Sequence, residues 1–133
     1  MAQIKAIHHV CVETPDIDAA VAYYCDLLGF RLAGREECGF GSYAMLCKGT
    51  ARVELIQSRN AGPGAARGSA PIAHIGFEVD DVEEMFAELC AKGVRFKTEQ
   101  VERSAEPMGG LTACSTVGPS GEVINFYKFD RDF

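Results

Sequence analysis

A chain of 133 residues holds one compact domain of ordinary size and is too short for two that fold independently. Its 47% hydrophobic and 24% charged residues, with 14 Gly and 5 Pro, give the profile of a globular protein rather than a disordered or fibrous one. Thirteen basic residues against nineteen acidic set a net charge of −6 with no Lys/Arg run, which argues against a nucleic-acid partner. No stretch approaches the ~20 apolar residues that span a bilayer, and Met1-Ala2-Gln3-Ile4-Lys5 leads into a patterned segment rather than a signal sequence. The expectation is a cytoplasmic protein with no membrane partner. The six cysteines (11, 25, 38, 47, 90 and 114) contain no CxxC pair and read as buried thiols.

The first patterned segment, Ile7-His8-His9-Val10-Cys11-Val12-Glu13, alternates with period two and predicts a half-buried strand. Asp16 then caps a helix carrying Ile17, Ala20, Val21, Tyr24 and Leu28 at helical spacing. Gly29 sits where a helix end favours a left-handed residue, and Phe30-Arg31-Leu32 restarts a strand. Phe40 to Lys48 and Arg52 to Gln57 are two more strands, divided by the Gly49-Thr50 turn. A Gly/Ala/Ser-rich stretch from Asn60 to Ala70 has a linker's composition.

The chain then repeats itself. At an offset of 65 residues, His9 meets His74, Glu13 meets Glu78, Asp16 meets Asp81, Ala22 meets Ala87 and Cys25 meets Cys90. Five identities over positions 9–25 exceed the roughly one that average composition gives by chance. The second copy opens with the strand Ala73 to Val79. A helix follows, capped by Asp81 with Glu84 at capping-box spacing and bearing Val82, Met85, Phe86 and Leu89. Past Gly93, Val94-Arg95-Phe96 is the expected strand, Glu102 to Gly110 an irregular loop, and Leu111–Val117 and Val123–Phe129 the last pair of strands around Gly118-Pro119-Ser120-Gly121. Each half is therefore βαβββ, with module one at 5–58, a linker at 59–70 and module two at 71–130 of a single domain, 1–133. Glu83 and Glu84 read as a solvated helix face, and Ala105 to Gly110 as an ordinary surface loop.

The segments HHVCVETPDIDAAVAYYCDLLGF (8–30), RVELIQ (52–57), AHIGFEVDDVEEMFAELCAKGVRF (73–96) and GPSGEVINFYKF (118–129) together resemble the vicinal oxygen chelate superfamily, which groups glyoxalases, bleomycin-resistance proteins and dioxygenases. The resemblance covers nearly the whole chain. It implies an α+β fold of two tandem βαβββ modules forming one curled mixed sheet around a metal and ligand cavity. It also implies a homodimer and a small-molecule substrate.

In that family, metal ligands come from the first and last strand of each module. His9 and His74, each seven residues before a capping Asp, match the ligand histidines, and Glu54 matches the carboxylate of module one. Strand parity agrees: Val10 and Val12 face the helix, so His9, Cys11 and Glu13 face inward, and His8 is a bystander. Module two departs from the family pattern, because Gly121-Glu122-Val123-Ile124-Asn125 places Asn125 where a ligand glutamate belongs. The implied cofactor is a divalent metal (Zn, Ni, Fe, Mn or Co) on His9, Glu54, His74 and Asn125. Two imidazoles and one carboxylate suit these ions.

Cys11, Glu13, Tyr43, Met45, Glu78 and Tyr127 are the candidate substrate-binding positions, and Glu54 is the candidate catalytic base. The resemblance implies a metal-dependent lyase or isomerase of the glyoxalase type, lactoylglutathione lyase-like or acyl-CoA epimerase-like, acting on a small α-oxygenated substrate. The alternatives are a non-catalytic binding protein of the bleomycin-resistance type and a ring-cleaving dioxygenase.

Overall fold

The computed structural model describes residues 1–59, 72–119 and 122–133. Eight strands and two helices follow in chain order. They are β1 (Ile4–Glu13), α1 (Ile17–Ala22) continued by a π-helical stretch (Tyr23–Leu27), β2 (Arg31–Cys38), β3 (Gly41–Lys48), β4 (Ala51–Ser58), β5 (Ile72–Val79), α2 (Val82–Ala91), β6 (Glu102–Ser104), β7 (Leu111–Val117) and β8 (Val123–Phe129). The fold class is α+β, a βαβββ run used twice, on an eight-stranded mixed sheet ordered β2-β3-β4-β1-β5-β8-β7-β6. The chain clusters into two compact units, His9–Ala73 and Met1–His8 with His74–Phe133, and β1 passes from one into the other.

In the unit His9–Ala73, β1 pairs with β4 in parallel, and β3 pairs antiparallel with both β4 and β2. The period-two pattern sorts its side chains. Val12, Val53 and Leu55 join Ala44 and Leu46 against Ile17, Ala20 and Val21 of α1. The alternate positions Cys11, Tyr43, Met45 and Glu54 take the other face of the same strands and are also buried, so β3 is covered on both sides. Asp16 caps α1 by accepting from Ala19 N at 3.1 Å, and Gln57 Oε1 accepts from Ile17 N at 2.9 Å, tying the helix start to β4.

The expected regular helix out to Leu28 changes to π-helical geometry at Tyr23. The wider turn keeps Tyr24 on the core, edge-on to Phe30 at 5.5 Å, and leaves Leu27 and Leu28 exposed. Gly29 adopts φ +76, the left-handed position expected of it.

In the other unit, β5 pairs with β8 in parallel, β7 pairs antiparallel with β8 and β6, and the first residues of β1 lie beside β5. Gln3 N donates to Asp80 Oδ1 at 2.9 Å. Val82 and Met85 of α2 pack on Val79, Cys114 and Phe126, with Phe77, Phe86 and Phe96 around them. Asp81 caps α2 by accepting from Glu84 N at 2.9 Å.

Two expectations here need correction. Val94 to Phe96 is not a strand of the sheet: only Phe96 bridges to Thr116, while the Thr116 hydroxyl donates to Arg95 O at 2.6 Å. The strand in that place is β6, inside the stretch expected to be irregular. The rest of that stretch is pinned: Met108 is buried, Arg131 Nε donates to Met108 O at 2.9 Å, and Asp130 N donates to Gly110 O at 3.0 Å. The expected linker, Asn60 to Ala70, lies outside the described residues, as do Ser120 and Gly121 of the last turn.

All six cysteines are thiols, four of them buried as expected, with Cys25 half-buried. Cys90 is the exception, exposed on α2. Desolvation pushes the Cys114 thiol up to about 12, with the neighbouring Cys90 adding to the shift, so Cys114 behaves as a small hydrophobe.

Candidate metal centre

The unit His9–Ala73 holds one buried polar group. Cys11 of β1 pairs in register with Glu54 of β4, and Met45 of β3 lies opposite Glu54 from the other side. This register sets the Glu54 carboxylate on the face of Cys11 and Met45, away from the helix core, at 3% exposure. His9, two residues before Cys11 on the same face and 1% exposed, brings Nε2 to 3.6 Å from Glu54 Oε1. That separation is too long for a good hydrogen bond. It is the spacing of two donor atoms about 2.1 Å from a common ion at bond angles near tetrahedral to trigonal, which puts them roughly 3.4–3.6 Å apart. The second carboxylate oxygen, Oε2, accepts from the Tyr43 hydroxyl at 2.9 Å.

The other unit holds a buried polar group of its own. Asn125 on β8 pairs in register with Gly76 of β5 and Ser115 of β7, so it shares the strand face of His74, Glu78 and Tyr127, opposite Phe77 and Phe126 of the core. Its Nδ2 donates to the Tyr127 hydroxyl at 2.9 Å, and its Oδ1 is buried with no hydrogen-bond partner among the described residues. A buried acceptor left unsatisfied costs about 1–3 kcal/mol. An orphan of this kind is a place where a ligand, an ion or a water can complete the bonding. The His74 ring lies nearly parallel to that of Tyr127, centroids 5.9 Å apart.

The remaining candidates are placed as follows. Met45 and Cys11 are fully buried beside Glu54. Glu13 is half-buried at the end of β1, opposite Ile56. Glu78 is partly exposed and forms an ion pair with Lys5 at 3.5 Å. His8 is 6% exposed, its ring stacked on Phe129 at 4.9 Å and edge-on to Phe133 at 5.5 Å. Sequence reasoning listed Tyr43 and Tyr127 as pocket lining and missed that each hydrogen-bonds a candidate ligand. For Tyr127 the signal was available in the sequence, whereas for Tyr43 it lies in the β3–β4 register. Tyr43 sits two residues from the direct partner of Glu54, within diagonal reach across a strand pair, and Tyr127 is two residues from Asn125 on one strand.

A family model of the glyoxalase/bleomycin resistance protein/dioxygenase superfamily matches residues 8–110. The chain belongs to this superfamily. The Escherichia coli (strain K12) protein YaeR is 28% identical over 106 residues, covering 77% of this chain and 82% of that protein. Two solved epimerases share the fold. Methylmalonyl-CoA epimerase in complex with methylmalonyl-CoA and NH4+ superposes with a TM-score of 0.80 at 22% identity over 96% of both chains. Methylmalonyl-CoA epimerase from Mycobacterium tuberculosis superposes with a TM-score of 0.81 at 21% identity, covering 96% of this chain and 90% of that one. No helix among the described residues is long and apolar enough to cross a membrane.

Proposed function

We propose that the protein is a metal-dependent lyase or isomerase of the glyoxalase type, acting on a small α-oxygenated substrate, with one divalent ion held by His9, Glu54, His74 and Asn125. The observation that carries this reading is the buried His9 Nε2 to Glu54 Oε1 separation of 3.6 Å, which suits two donors on one ion. It is supported by His74, the repeat-equivalent of His9, and by the Asn125 Oδ1 acceptor that lacks a partner among the described residues.

When bound, the ion acts as a Lewis acid that stabilises negative charge on a substrate oxygen. The chain's own residues do the rest. Two neutral imidazoles, one carboxylate and one amide leave a divalent ion with one net positive charge, which favours an anionic oxygen ligand. Glu54 is the buried carboxylate of this set and the proton carrier. The amide of Asn125 accepts a hydrogen bond or donates electron density but takes no proton. Tyr43, Met45 and Cys11 wall the carboxylate from water.

Proton transfer by one carboxylate suits moving a proton between adjacent carbons on a single face. Epimerisation needs a proton removed from one face and returned to the other, which usually calls on two groups. For this reason the glyoxalase-type reaction is preferred over the acyl-CoA epimerase variant that the structural neighbours bring to mind. The same reading carries a cytoplasmic homodimer, which sedimentation of the purified protein tests.

Metal analysis decides the central point. Protein purified without chelators is expected to hold close to one equivalent of transition metal, or to gain melting temperature and hemithioacetal isomerase activity when Ni²⁺, Zn²⁺, Mn²⁺, Fe²⁺ or Co²⁺ is added. Metal-free protein that none of these ions stabilises would sink the enzymatic reading in favour of a binding protein.

A further inference from the structure

We infer that Tyr43 is a positioning residue that confines Glu54 to a single metal-facing oxygen, Oε1. This rests on the reading of Glu54 as a ligand and adds a role for a residue outside the ligand set. The two oxygens of the carboxylate have different surroundings. Oε1 is turned toward His9 Nε2 at 3.6 Å, while Oε2 accepts from the Tyr43 hydroxyl at 2.9 Å. Both side chains are almost fully buried, Tyr43 at 1% and Glu54 at 3% exposure. A hydrogen bond to an ionised group is stronger than one between neutral groups, and more so at low local dielectric.

The fold aims this phenol. Antiparallel pairing of β3 and β4 sets Met45 directly opposite Glu54 and Tyr43 opposite Ile56, so the tyrosine ring reaches back along the shared face to the carboxylate. Phe40 braces that ring edge-on, centroids 6.3 Å apart. For Glu54 to bind an ion through both oxygens, Oε2 would have to give up a buried hydrogen bond. Tyr43 would therefore hold the carboxylate to one coordination position. Partners of this kind commonly orient metal ligands and tune them.

The test is Tyr43→Phe in the cobalt-loaded protein, read by visible absorption with metal content and thermal melting measured alongside. Wild type and variant are both expected to bind one Co²⁺ per chain. The d–d absorbance per cobalt should fall by about twofold or more in the variant, as a second carboxylate oxygen joins and raises the coordination number. Equal spectra in two folded, cobalt-loaded proteins would overturn the role of Tyr43 and leave the ligand assignment standing. A wild type that takes up no cobalt would instead remove the reading beneath it.

Should the variant show no folded melting transition, infrared difference spectra of the wild type decide. One-oxygen binding widens the separation of the carboxylate stretches when metal is added, and a narrowed separation would overturn the inference.

Discussion

Asn125 Nδ2 donates to the Tyr127 hydroxyl at 2.9 Å, and the other end of the amide, the buried Oδ1, has no hydrogen-bond partner among the described residues. In the proposed site this amide is a neutral oxygen donor, at a position where the family resemblance implies a carboxylate. Asn125→Glu supplies the missing negative charge. The expected outcome is tighter binding of Zn²⁺ or Co²⁺ by about tenfold or more, measured by competition with a chromophoric chelator. The metal-free variant should lose stability, because a second buried carboxylate then has no counter-charge. Unchanged or weaker affinity would show that Asn125 is not at a ligand position.

In the proposed site the two adjacent histidines divide between ligand and packing. His9 lies on the face of Glu54, and His8 stacks on Phe129 and meets Phe133 edge-on. His9→Ala is expected to abolish stoichiometric metal binding. His8→Ala should leave metal content unchanged while costing about 1–3 kcal/mol in denaturant unfolding, from lost ring contacts and a cavity. Metal loss in the His8 variant with retention in the His9 variant would reverse the assignment.

Strand parity and the repeat made much of this legible in the sequence. The spacing to Asp16 and Asp81 sets both helix starts, and alternation in Arg52-Val53-Glu54-Leu55 puts Glu54 opposite the helix face. What parity does not carry is anything set by a neighbouring strand's register. The Tyr43 to Glu54 bond exists because β3 meets β4 with Met45 opposite Glu54, and neither segment alone states that offset. The strand expected at Val94 to Phe96 failed for a related reason. Its local pattern is β-like, but a single bridge to Thr116 and the Thr116 hydroxyl's bond to Arg95 O hold it beside β7 without extending a ladder.

Gly41 is another case where the sequence is silent and the structure is strict. It has φ +142, and a Cβ there would lie 2.2 Å from Gln57 O and 2.8 Å from Arg59 N, both backbone atoms. Gly49 also has positive φ, +58, but a Cβ would meet nothing within 4 Å. Gly41→Ala is therefore expected to cost more than about 2 kcal/mol in denaturant unfolding, and Gly49→Ala about 1 kcal/mol. Because Gly41 opens the strand that carries Tyr43, its replacement should also weaken metal binding, whereas that of Gly49 should not. Equal costs at the two positions would contradict the close approach of β3 to the end of β4.

The final test concerns pH and the segment that pins the loop before β7. Arg103 of β6 forms an ion pair with Asp130, and Arg103 Nη1 donates to Asp130 Oδ1 at 2.7 Å. The hydrogen bond from Arg103 is the main reason the Asp130 carboxyl lies below the ordinary aspartate value, and the nearby positive charge adds to it. A carboxyl whose folded-state pKa is depressed contributes stability that is fully present above its unfolded value. That contribution is lost as pH falls through the folded value. The pair is exposed, so the effect is small and screened by salt. Arg103→Gln should move the Asp130 carboxyl titration, followed by NMR, up toward the ordinary aspartate value. It should also lower stability by a small, pH-independent amount above the acid limb and flatten that limb, where the wild type loses the pair's contribution. A titration that stays depressed in the variant would mean that other groups, not Arg103, hold the carboxylate in its ionised form.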